Sequence, residues 1–298
     1  MISICIPVYN FDVSELVNKL LPQLEGTSEI ILIDDASKKE FKTINQALQS
    51  SRVKLIELEK NIGRSRIRNL FLKYAENPYL IFLDCDAEII SDAFLVNYRK
   101  ALDKETQVVC GGSVYSDECP STDQVLRWKY GTKKESKPIA LRSLNPYSSF
   151  MTSNFLVARA LFEKIRFDER ITQYGHEDTL FGIELEENNV SIKHINNPVM
   201  NGDVDSNEVF IEKTELALKS LLQITLFYPK IEQLEKHISL LRLANKIKRL
   251  KLTWLFTSFY SMNKGIIKKR LLQSKNPSLN IFNLYKLTYY LSLKEKKS

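Results

Sequence analysis

The stretch Leu80–Asp86, read LIFLDCD, decides how the fold of this chain is understood. A short apolar run bounded by polar residues predicts a buried strand, and this run ends in two carboxylates, Asp84 and Asp86. In an open α/β sheet, ligands bind outside the carboxyl ends of the strands. Taken alone, the two acids either cap a strand and begin a turn, or hold a cation. The rest of the chain must decide between these readings.

Composition is that of an ordinary globular protein: of 298 residues, 44% are hydrophobic and 27% charged. The four cysteines form no Cys-x-x-Cys pair, which fits a reducing cytoplasm and argues against zinc. The longest uncharged apolar stretch, Leu252–Met262, is too short to span a bilayer. The N-terminus lacks the pattern of a signal peptide. We therefore expect a cytoplasmic protein.

The charge is unevenly distributed along the chain. Residues 213–298 carry 18 basic and 4 acidic side chains, whereas residues 1–212 carry 25 basic and 32 acidic ones. An acidic front part is a poor general binder of nucleic acid, and we expect no nucleic-acid partner. A basic part with interleaved aromatic residues suits an anionic membrane or RNA. The contrast predicts two domains, 1–212 and a basic extension, 213–298.

Strands and helices alternate along the first part of the chain. This order predicts an α/β fold, with a mostly parallel, twisted sheet flanked by helices on both faces. From residue 207 the pattern is helical, with breaks at Pro229 and Pro277, which predicts a helical C-terminal extension. The predicted strands are Ile2–Ile6, Glu29–Ile33, Val53–Leu58 and Tyr79–Leu83, and the helices between them are Val13–Leu24, Lys39–Gln49 and Arg64–Tyr74.

Polar residues follow each of the four predicted strands. Any one set is explained by helix capping, but capping alone is a poor explanation for all four. The carboxyl ends of neighbouring parallel strands meet at one sheet edge, where a ligand would bind. The four sets are Pro7–Asn10, Asp34–Ser37, Asn61–Arg64 and Asp84–Asp86.

Six motifs follow one another along the chain: IPVYN (6–10), IDDAS (33–37), NIGRSRIRN (61–69), FLDCD (82–86), TSNFLVAR (152–159) and FDERITQYGHEDTLFGIEL (167–185). In this order they resemble glycosyltransferase family 2, whose nucleotide-sugar domain has the GT-A fold. A dinucleotide-binding Rossmann fold is excluded, because no Gly-x-Gly-x-x-Gly follows the first strand. The resemblance implies transfer of a sugar from a nucleoside diphosphate to an acceptor hydroxyl.

For the donor, the resemblance implies a site at the four strand ends. Asp86, with Asp84 close by, would hold Mn²⁺ or Mg²⁺ against the diphosphate, and Asp35 would meet the nucleobase. Arg64 and Arg68, four residues apart on one helix face, either approach the diphosphate or form a solvated basic face. The predicted nucleotide-sugar ligands are Pro7, Tyr9, Asn10, Asp34, Asp35, Arg64, Arg68 and Asp84.

Glu177 and Asp178 form a second acidic pair, ahead of a helix with buried apolar positions. Acids in a first helical turn are often only caps, favoured by the helix dipole. The family's Glu-Asp motif implies instead that Asp178 is the general base that deprotonates the acceptor, with inversion at the anomeric carbon. Glu177 would position an acceptor hydroxyl or support the loop. The predicted acceptor residues are Thr152, Ser153, Asn154, Tyr174 and His176.

The third metal ligand departs from the family pattern. Relatives often carry a metal-binding His just after the strand that follows the Glu-Asp helix, where this chain has Asn201. Asn201, Asp203 and His194 remain as candidates, although a lone His inside a strand is more often structural. The missing His also keeps open an alternative function, a catalytically impaired nucleotide- or glycan-binding scaffold of the same fold.

Two segments have open interpretations. Ser113–Arg142 has no clear periodicity and is either an acceptor-facing loop or a solvated excursion. Residues 246–298 either pack as a helical subdomain or attach reversibly to an anionic membrane surface, which would hold the enzyme near a lipid-linked acceptor. The aromatic residues predicted to suit that interface are Trp254, Phe256, Phe259, Tyr260, Tyr285, Tyr289 and Tyr290.

Together these observations predict an inverting, metal-dependent glycosyltransferase of surface polysaccharide assembly. Its donor would be a nucleoside diphosphate sugar, with a UDP-sugar as first choice, and its acceptor a glycan or lipid-linked hydroxyl. A nucleotidyltransferase would need a Gly-rich, basic loop after the first strand, and IPVYNFDVSE has no Gly and no basic residue.

Overall fold

The computed structural model describes residues 1–119 and 121–295. It confirms the predicted α/β class with a helical C-terminal region. The strands are Ile2–Val8 (β1), Glu29–Asp34 (β2), Val53–Glu57 (β3), Tyr79–Leu83 (β4), Ala87–Ile89 (β5), Val108–Cys110 (β6), Ser113–Val114 (β7), Asn154–Ala158 (β8), Ile192–His194 (β9) and Val199–Asn201 (β10). The α-helices are Ser14–Leu20 (α1), Lys39–Gln46 (α2), Arg64–Tyr74 (α3), Phe94–Ala101 (α4), Val125–Tyr130 (α5), Ile139–Leu144 (α6), Arg159–Phe162 (α7), Glu177–Glu187 (α8), Asn207–Phe227 (α9), Ile231–His237 (α10), Ser239–Arg249 (α11), Thr253–Gln273 (α12) and Leu279–Glu295 (α13).

The larger sheet has the strand order β3-β2-β1-β4-β8-β6-β9. Strands β1 to β4 are parallel to one another, and β8 runs antiparallel to both of its neighbours. Because β1, β2 and β4 are neighbours and parallel, their carboxyl ends meet at one edge. A smaller sheet, β5-β10-β7, begins directly after Asp86.

Helices cover both faces of the larger sheet, as the alternating sequence predicted. Helices α1 and α4 pack on one apolar layer, and α3, α7 and α8 pack on the other. The second layer contains a phenylalanine cluster, in which Phe167 and Phe181 stack with ring centroids 4.4 Å apart. Aromatic burial of this kind contributes strongly to packing, so the cluster fixes the start of α8 against the sheet.

The chain forms two compact units. The first comprises residues 1–116, 135–172 and 177–203 and contains both sheets. The described residues of the second are 117–119, 121–134, 173–176 and 204–295. Residue 212 lies within α9, and the division between 1–212 and 213–298 stays a prediction.

Several predicted boundaries differ from the observed ones. β1 extends through Pro7 to Val8, because the Val8 carbonyl accepts a hydrogen bond from the Asp35 amide at 2.8 Å. α1 ends at Leu20, ahead of a 3₁₀ turn that contains Pro22. The segment 113–142 holds β7, α5 and α6, which are too short to show a full apolar period.

In the second unit, α9, α12 and α13 share an apolar core that includes Ile211, Ile267 and Phe282. Tyr285, Tyr289 and Tyr290 belong to the buried set, at 2%, 9% and 0% exposure. The prediction that these tyrosines meet a membrane is therefore wrong, since their rings are buried in the protein. Within the described residues, none of the helices combines the length and apolarity needed to cross a bilayer.

Candidate active site

The loops after β1 and β2 are tied to each other. The amide of Asn10 donates to the Ser37 hydroxyl at 2.7 Å, and the Asn10 side-chain oxygen accepts from the Lys38 amide at 2.8 Å. Asn10 and Ala36 both have positive φ, +50° and +63°, a conformation that costs energy outside glycine. The hydrogen bonds hold these two strained turns together at the sheet edge where the nucleotide ligands were predicted.

Asp35 connects the end of β2 to the turn that precedes α3. Its carboxylate accepts hydrogen bonds from the amides of Ile62 at 2.7 Å and Gly63 at 3.2 Å. Burial raises the pKa of Asp35, and these two amides oppose the rise. The predicted nucleobase ligand therefore also fixes the turn at residues 61–63.

Asp34 and Tyr9 differ sharply in exposure. Asp34 is 1% exposed; one carboxylate oxygen accepts from the Ser37 amide at 2.8 Å, and the other has no hydrogen-bond partner among the described residues. Tyr9 is 53% exposed. Pro7 lies within β1 and is half-buried. Of these predicted nucleotide contacts, Tyr9 therefore offers the most surface to a ligand.

Arg68 lies between the two acidic motifs. It is 2% exposed, and its Nη2 lies 2.8 Å from Oδ1 of Asp84 while its Nη1 lies 3.7 Å from Oε1 of Glu177. The guanidinium also lies over the ring of Phe167, 5.6 Å from its centroid. A buried cation is tolerated when it is paired in this way. Arg68 therefore links the Asp-x-Asp motif to the Glu-Asp motif.

Arg64 is the more exposed of the two predicted diphosphate arginines. Its side chain is 46% exposed, and Nη1 lies 3.3 Å from Oε1 of Glu177. Glu177 thus faces both cations of α3. Arg64 retains surface for an anionic ligand, whereas Arg68 is enclosed by protein.

The adjacent acids Glu177 and Asp178 have opposite pKa shifts. Burial would raise the pKa of Glu177, but the charges of Arg64 and Arg68 outweigh it and lower the pKa. Burial, followed by the charge of Glu177, raises the pKa of Asp178 from 3.8 to about 6, against the hydrogen bond from the Thr179 amide. Carboxyl pairs whose environments separate their pKa values in this way are typical of acid–base sites.

The Asp84–Asp86 turn joins the larger sheet to the smaller one. The Asp84 amide donates to the Ser153 carbonyl at 3.3 Å, and the Asp84 carbonyl accepts from the Ala87 amide at 3.1 Å. Burial, aided by both neighbouring carboxylates, raises the pKa of the Cys85 thiol to about 12, so Cys85 stays protonated. Asp86 lines a cavity of about 1170 Å³ together with Asp12, Glu15, Glu88 and Asp203.

The carboxylates Asp84 and Asp86 suit a hard divalent cation whose remaining ligands come from water and substrate. Arg68 orients the Asp84 carboxylate, which remains 26% exposed. No group of three or more His, Cys, Asp or Glu residues able to hold a metal occurs among the described residues. Mg²⁺ commonly uses one or two carboxylates and takes its other ligands from water and substrate phosphates. Asp84 and Asp86 would supply the two protein carboxylates of such a site.

The candidates for the third ligand lie in different places. In the antiparallel pair β10–β5, Asn201 lies opposite Ala87, the residue after Asp86. His194 lies in β9, at the edge of the larger sheet. Its two ring nitrogens lie 3.1 Å from Nη1 of Arg142 and 3.1 Å from the Pro146 carbonyl. As a candidate third ligand, Asn201 is favoured by the strand register over His194, because both ring nitrogens of His194 already have protein partners.

Of the predicted acceptor residues of the first unit, Thr152 and Asn154 are buried and Ser153 is half-buried. Asn154 is 0% exposed; its side chain accepts from the Tyr98 hydroxyl and donates to the carbonyls of Gly112 and Asn197. Thr152 is 7% exposed, and the carbonyl of Ser153 holds the Asp84 amide. The Asn154 side chain therefore joins β8 to the loops after β6 and β9 and offers no surface to an acceptor.

Tyr174 and His176 belong to the second unit. Between them, Gly175 has φ +96°, and its carbonyl accepts from the Ser220 hydroxyl of α9 at 3.2 Å. A Cβ at Gly175 would lie 2.7 Å from the Cβ of Ala217. Only glycine therefore fits this turn, which lies directly before Glu177 in the sequence.

The sequence profile of Glycosyl transferase family 2 matches residues 3–166, more than half of the chain. The chain belongs to glycosyltransferase family 2. An uncharacterized glycosyltransferase of Haemophilus influenzae is 28% identical over 188 residues, which cover 62% of this chain and 71% of that protein. The profile match confirms the predicted family and the enzyme class.

Two further relatives match a smaller share of their own length. The teichoic acid poly(glycerol phosphate) polymerase of Staphylococcus epidermidis is 24% identical over 58% of this chain and 24% of its own. A UDP-Glc:alpha-D-GlcNAc-diphosphoundecaprenol beta-1,3-glucosyltransferase of Escherichia coli is 32% identical over 29% of this chain and 35% of its own. The matched region spans less than two thirds of both relatives.

Solved structures share the fold. The mannosyltransferase PcManGT from Pyrobaculum calidifontis, in complex with GDP-Man and Mn²⁺, has a TM-score of 0.58 at 13% identity, covering 99% of this chain and 86% of that one. S. aureus TarS 1–349 in complex with UDP-GlcNAc has a TM-score of 0.53 at 17% identity, covering 99% and 91%. At these identities the likeness shows the GT-A fold alone.

Two buried polar side chains that join separate segments of the first unit were not predicted from the sequence. Asn69 exchanges hydrogen bonds with the backbone of Phe167, at 2.9 and 3.0 Å. Arg142 donates to the carbonyls of Cys110, Gly111 and Ile195. Asn69 lies inside the NIGRSRIRN motif, so the motif itself pointed to it, whereas nothing in the 113–142 segment distinguished Arg142.

Proposed function

We propose that this family 2 enzyme transfers a sugar, with inversion, from a nucleoside diphosphate sugar to a hydroxyl of a glycan or lipid-linked acceptor in surface polysaccharide assembly. A UDP-sugar is the first candidate donor. The observation that carries the proposal is the position of Arg68, paired with Asp84 at 2.8 Å and with Glu177 at 3.7 Å. One buried cation thereby connects a candidate leaving-group site to Glu177, the neighbour of the candidate general base Asp178.

The donor nucleotide is assigned to the ends of β1 and β2 and the start of α3. The tied loops at Asn10 and Ser37 keep this edge rigid before the donor arrives, which lowers the entropy lost on binding. Tyr9, with its exposed ring, is proposed to cover the nucleobase, and Arg64 to approach the diphosphate. Asp35 keeps the 61–63 turn in place beside them.

The leaving diphosphate is assigned to Asp84 and Asp86, which would hold Mn²⁺ or Mg²⁺. When bound, the cation neutralises the negative charge that gathers on the diphosphate oxygens. Arg68 keeps the Asp84 carboxylate in one orientation and places a positive charge behind it. Preorganised charge of this kind is worth more in a partly buried site than in water.

Asp178 is proposed to take the proton of the acceptor hydroxyl. As the hydroxyl oxygen forms its bond to the anomeric carbon, the bond from that carbon to the diphosphate oxygen breaks, and the configuration inverts. A pKa of about 6 leaves Asp178 ionised at neutral pH while making it a stronger base than an ordinary aspartate. Glu177, ionised and paired with Arg64, keeps this turn in position.

The class of acceptor is supported by the names of relatives. One relative is a teichoic acid polymerase, and another is a glucosyltransferase whose name specifies a diphosphoundecaprenol acceptor. The first name refers to a glycerol phosphate polymer, and the second to a sugar carried on diphosphoundecaprenol. We propose the same class here.

A panel of nucleotide sugars, each with Mn²⁺ or with EDTA, tests the proposal. Release of nucleoside diphosphate and thermal shift are measured for the whole chain and for Asp86→Asn. We expect one donor to be turned over in Mn²⁺, with turnover lost in EDTA and in the variant. A thermal shift without turnover of any donor would instead favour the scaffold function. Equal turnover in EDTA would contradict the assigned metal.

A further inference from the structure

Helix α12 exposes a continuous apolar face. Leu255, Phe259, Met262 and Ile266 follow one another at spacings of four, three and four residues, which places them on one side of the helix. They are 50%, 39%, 80% and 69% exposed. We refer to these four residues as the α12 stripe. Trp254, 64% exposed, lies beside its N-terminal end.

The helix that carries the stripe is firmly packed on its other side. Ile267 and Leu271 of α12 are buried with Phe282 and Tyr285 of α13 in the apolar core of the second unit. The space beside Gly265 is open, since a Cβ added there would meet no other atom within 4 Å. The exposure of the stripe is therefore a property of a well-anchored helix. Contiguous exposed apolar surface of this kind marks interaction sites.

The surface around the stripe is strongly cationic. Residues 239–273 contain nine Lys or Arg and no Asp or Glu. Lys248 and Lys251 are exposed just before α12, and Lys269 and Arg270 lie three and four residues after Ile266 and so continue the same face. An apolar stripe with cations at both ends matches an anionic headgroup layer above acyl chains.

We propose that the α12 stripe and its flanking cations dock the protein on an anionic lipid surface. A second copy of the chain is a poor occupant, because two such faces would bring like charges together. Since none of the described helices is able to cross a bilayer, the helix would lie in the interface. The proposal does not depend on which sugar the enzyme transfers.

Flotation of the full-length protein with vesicles tests the proposal. The vesicles are phosphatidylcholine alone or phosphatidylcholine with a quarter phosphatidylglycerol, at about 0.1 M and about 0.5 M salt, which screens exposed charges. We expect binding to the anionic vesicles at low salt and roughly a tenfold weaker binding at high salt. The double variant Met262→Glu, Ile266→Glu should lower binding about tenfold or more, since charged side chains are excluded from the apolar layer.

The matched control is Leu226→Glu, because Leu226 is 69% exposed on α9 of the same unit. It should bind vesicles like the unchanged protein. The variant Lys248→Gln, Lys251→Gln should weaken binding to anionic vesicles only. Light scattering without vesicles and donor hydrolysis by each variant complete the set, and both should be unchanged. Should the Glu variant fail to fold, Met262→Ser, Ile266→Ser replaces it.

Three outcomes would overturn the proposal. One is no flotation of the full-length protein at either salt. Another is equal vesicle binding by the stripe variant and the Leu226→Glu control. The third is a dimer that the stripe variant dissociates while vesicles fail to bind, which would assign the stripe to a second copy. Donor hydrolysis is scored separately, so an unchanged protein that hydrolyses donor but does not bind vesicles overturns the docking proposal alone.

Discussion

Nη2 of Arg68 lies 2.8 Å from Oδ1 of Asp84. The same guanidinium faces Glu177 at 3.7 Å, so α3, the Asp-x-Asp turn and the start of α8 share one buried cation. Removing one partner of a buried pair is costly, because a charge is left without compensation. Arg68 is thus a positioning residue for both acidic motifs.

Arg68→Ala should reduce both transfer and stability. We expect the activity to fall by about 10²-fold and the free energy of unfolding by about 3 kcal/mol, the usual range for breaking a buried pair. Arg68→Lys should lose less stability, since it keeps the charge but lacks the planar fork. Steady-state kinetics and denaturant unfolding measure these effects.

The control for Arg68 is Arg66→Ala on the same helix. Arg66 is 52% exposed and lies 3.8 Å from Glu169, so its loss should change stability little.

The charge of Arg68 also lowers the pKa of Asp178. Arg68→Ala should therefore move the acidic limb of the pH–rate profile upward, which a merely structural role would leave in place.

The activity should depend on the ionisation of Asp178. Its pKa is raised to about 6, and a general base acts only when deprotonated. kcat/KM should therefore rise about tenfold per pH unit below this value and level off above it. A profile between about pH 5 and pH 8 on the preferred donor measures this, and a flat profile over the range would contradict the role of Asp178.

Asp178→Asn should stabilise the protein at high pH. A carboxyl whose pKa rises from 3.8 to about 6 on folding favours the folded state when protonated, and this stability is lost as pH rises through that window. The amide carries no charge, so its advantage should appear above about pH 6 and vanish below about pH 4. Melting curves of the variant and the unchanged protein are compared below about pH 4 and above about pH 6. The Tm of the variant should be higher by about 2–4 °C only at the higher pH, because the buried negative charge is gone.

Asp35→Asn should weaken donor binding. The Asp35 carboxylate accepts the amides of Ile62 and Gly63, and an amide side chain has only one accepting oxygen. Hydrogen bonds to charged groups are worth about 1.5–3 kcal/mol, so UDP affinity should fall by roughly tenfold or more. Calorimetry measures it, with the exposed Asp103→Asn as a control. Unchanged affinity would show that the 61–63 turn does not shape the nucleotide site.

The strands and helices of the first part could be predicted from sequence because each has a local signal. The apolar run before Asp84 is such a signal, and α3 and β4 have the predicted ends. The contacts of Arg68 have no local signal, because its partners lie far away along the chain. The burial of Asn154 depends on three segments brought together by the sheet. Motif order thus predicted the candidate site residues, and the fold adds which of their side chains are exposed or enclosed by protein.

The most direct test of the account is transfer by Asp178→Asn, measured together with its affinity for the nucleotide. General-base catalysis contributes about 10²–10⁴-fold, so kcat should fall by about that factor. The Kd for UDP should stay within about threefold, because Asp178 is assigned to the acceptor and not to the nucleotide. Full transfer activity in this variant would contradict the account.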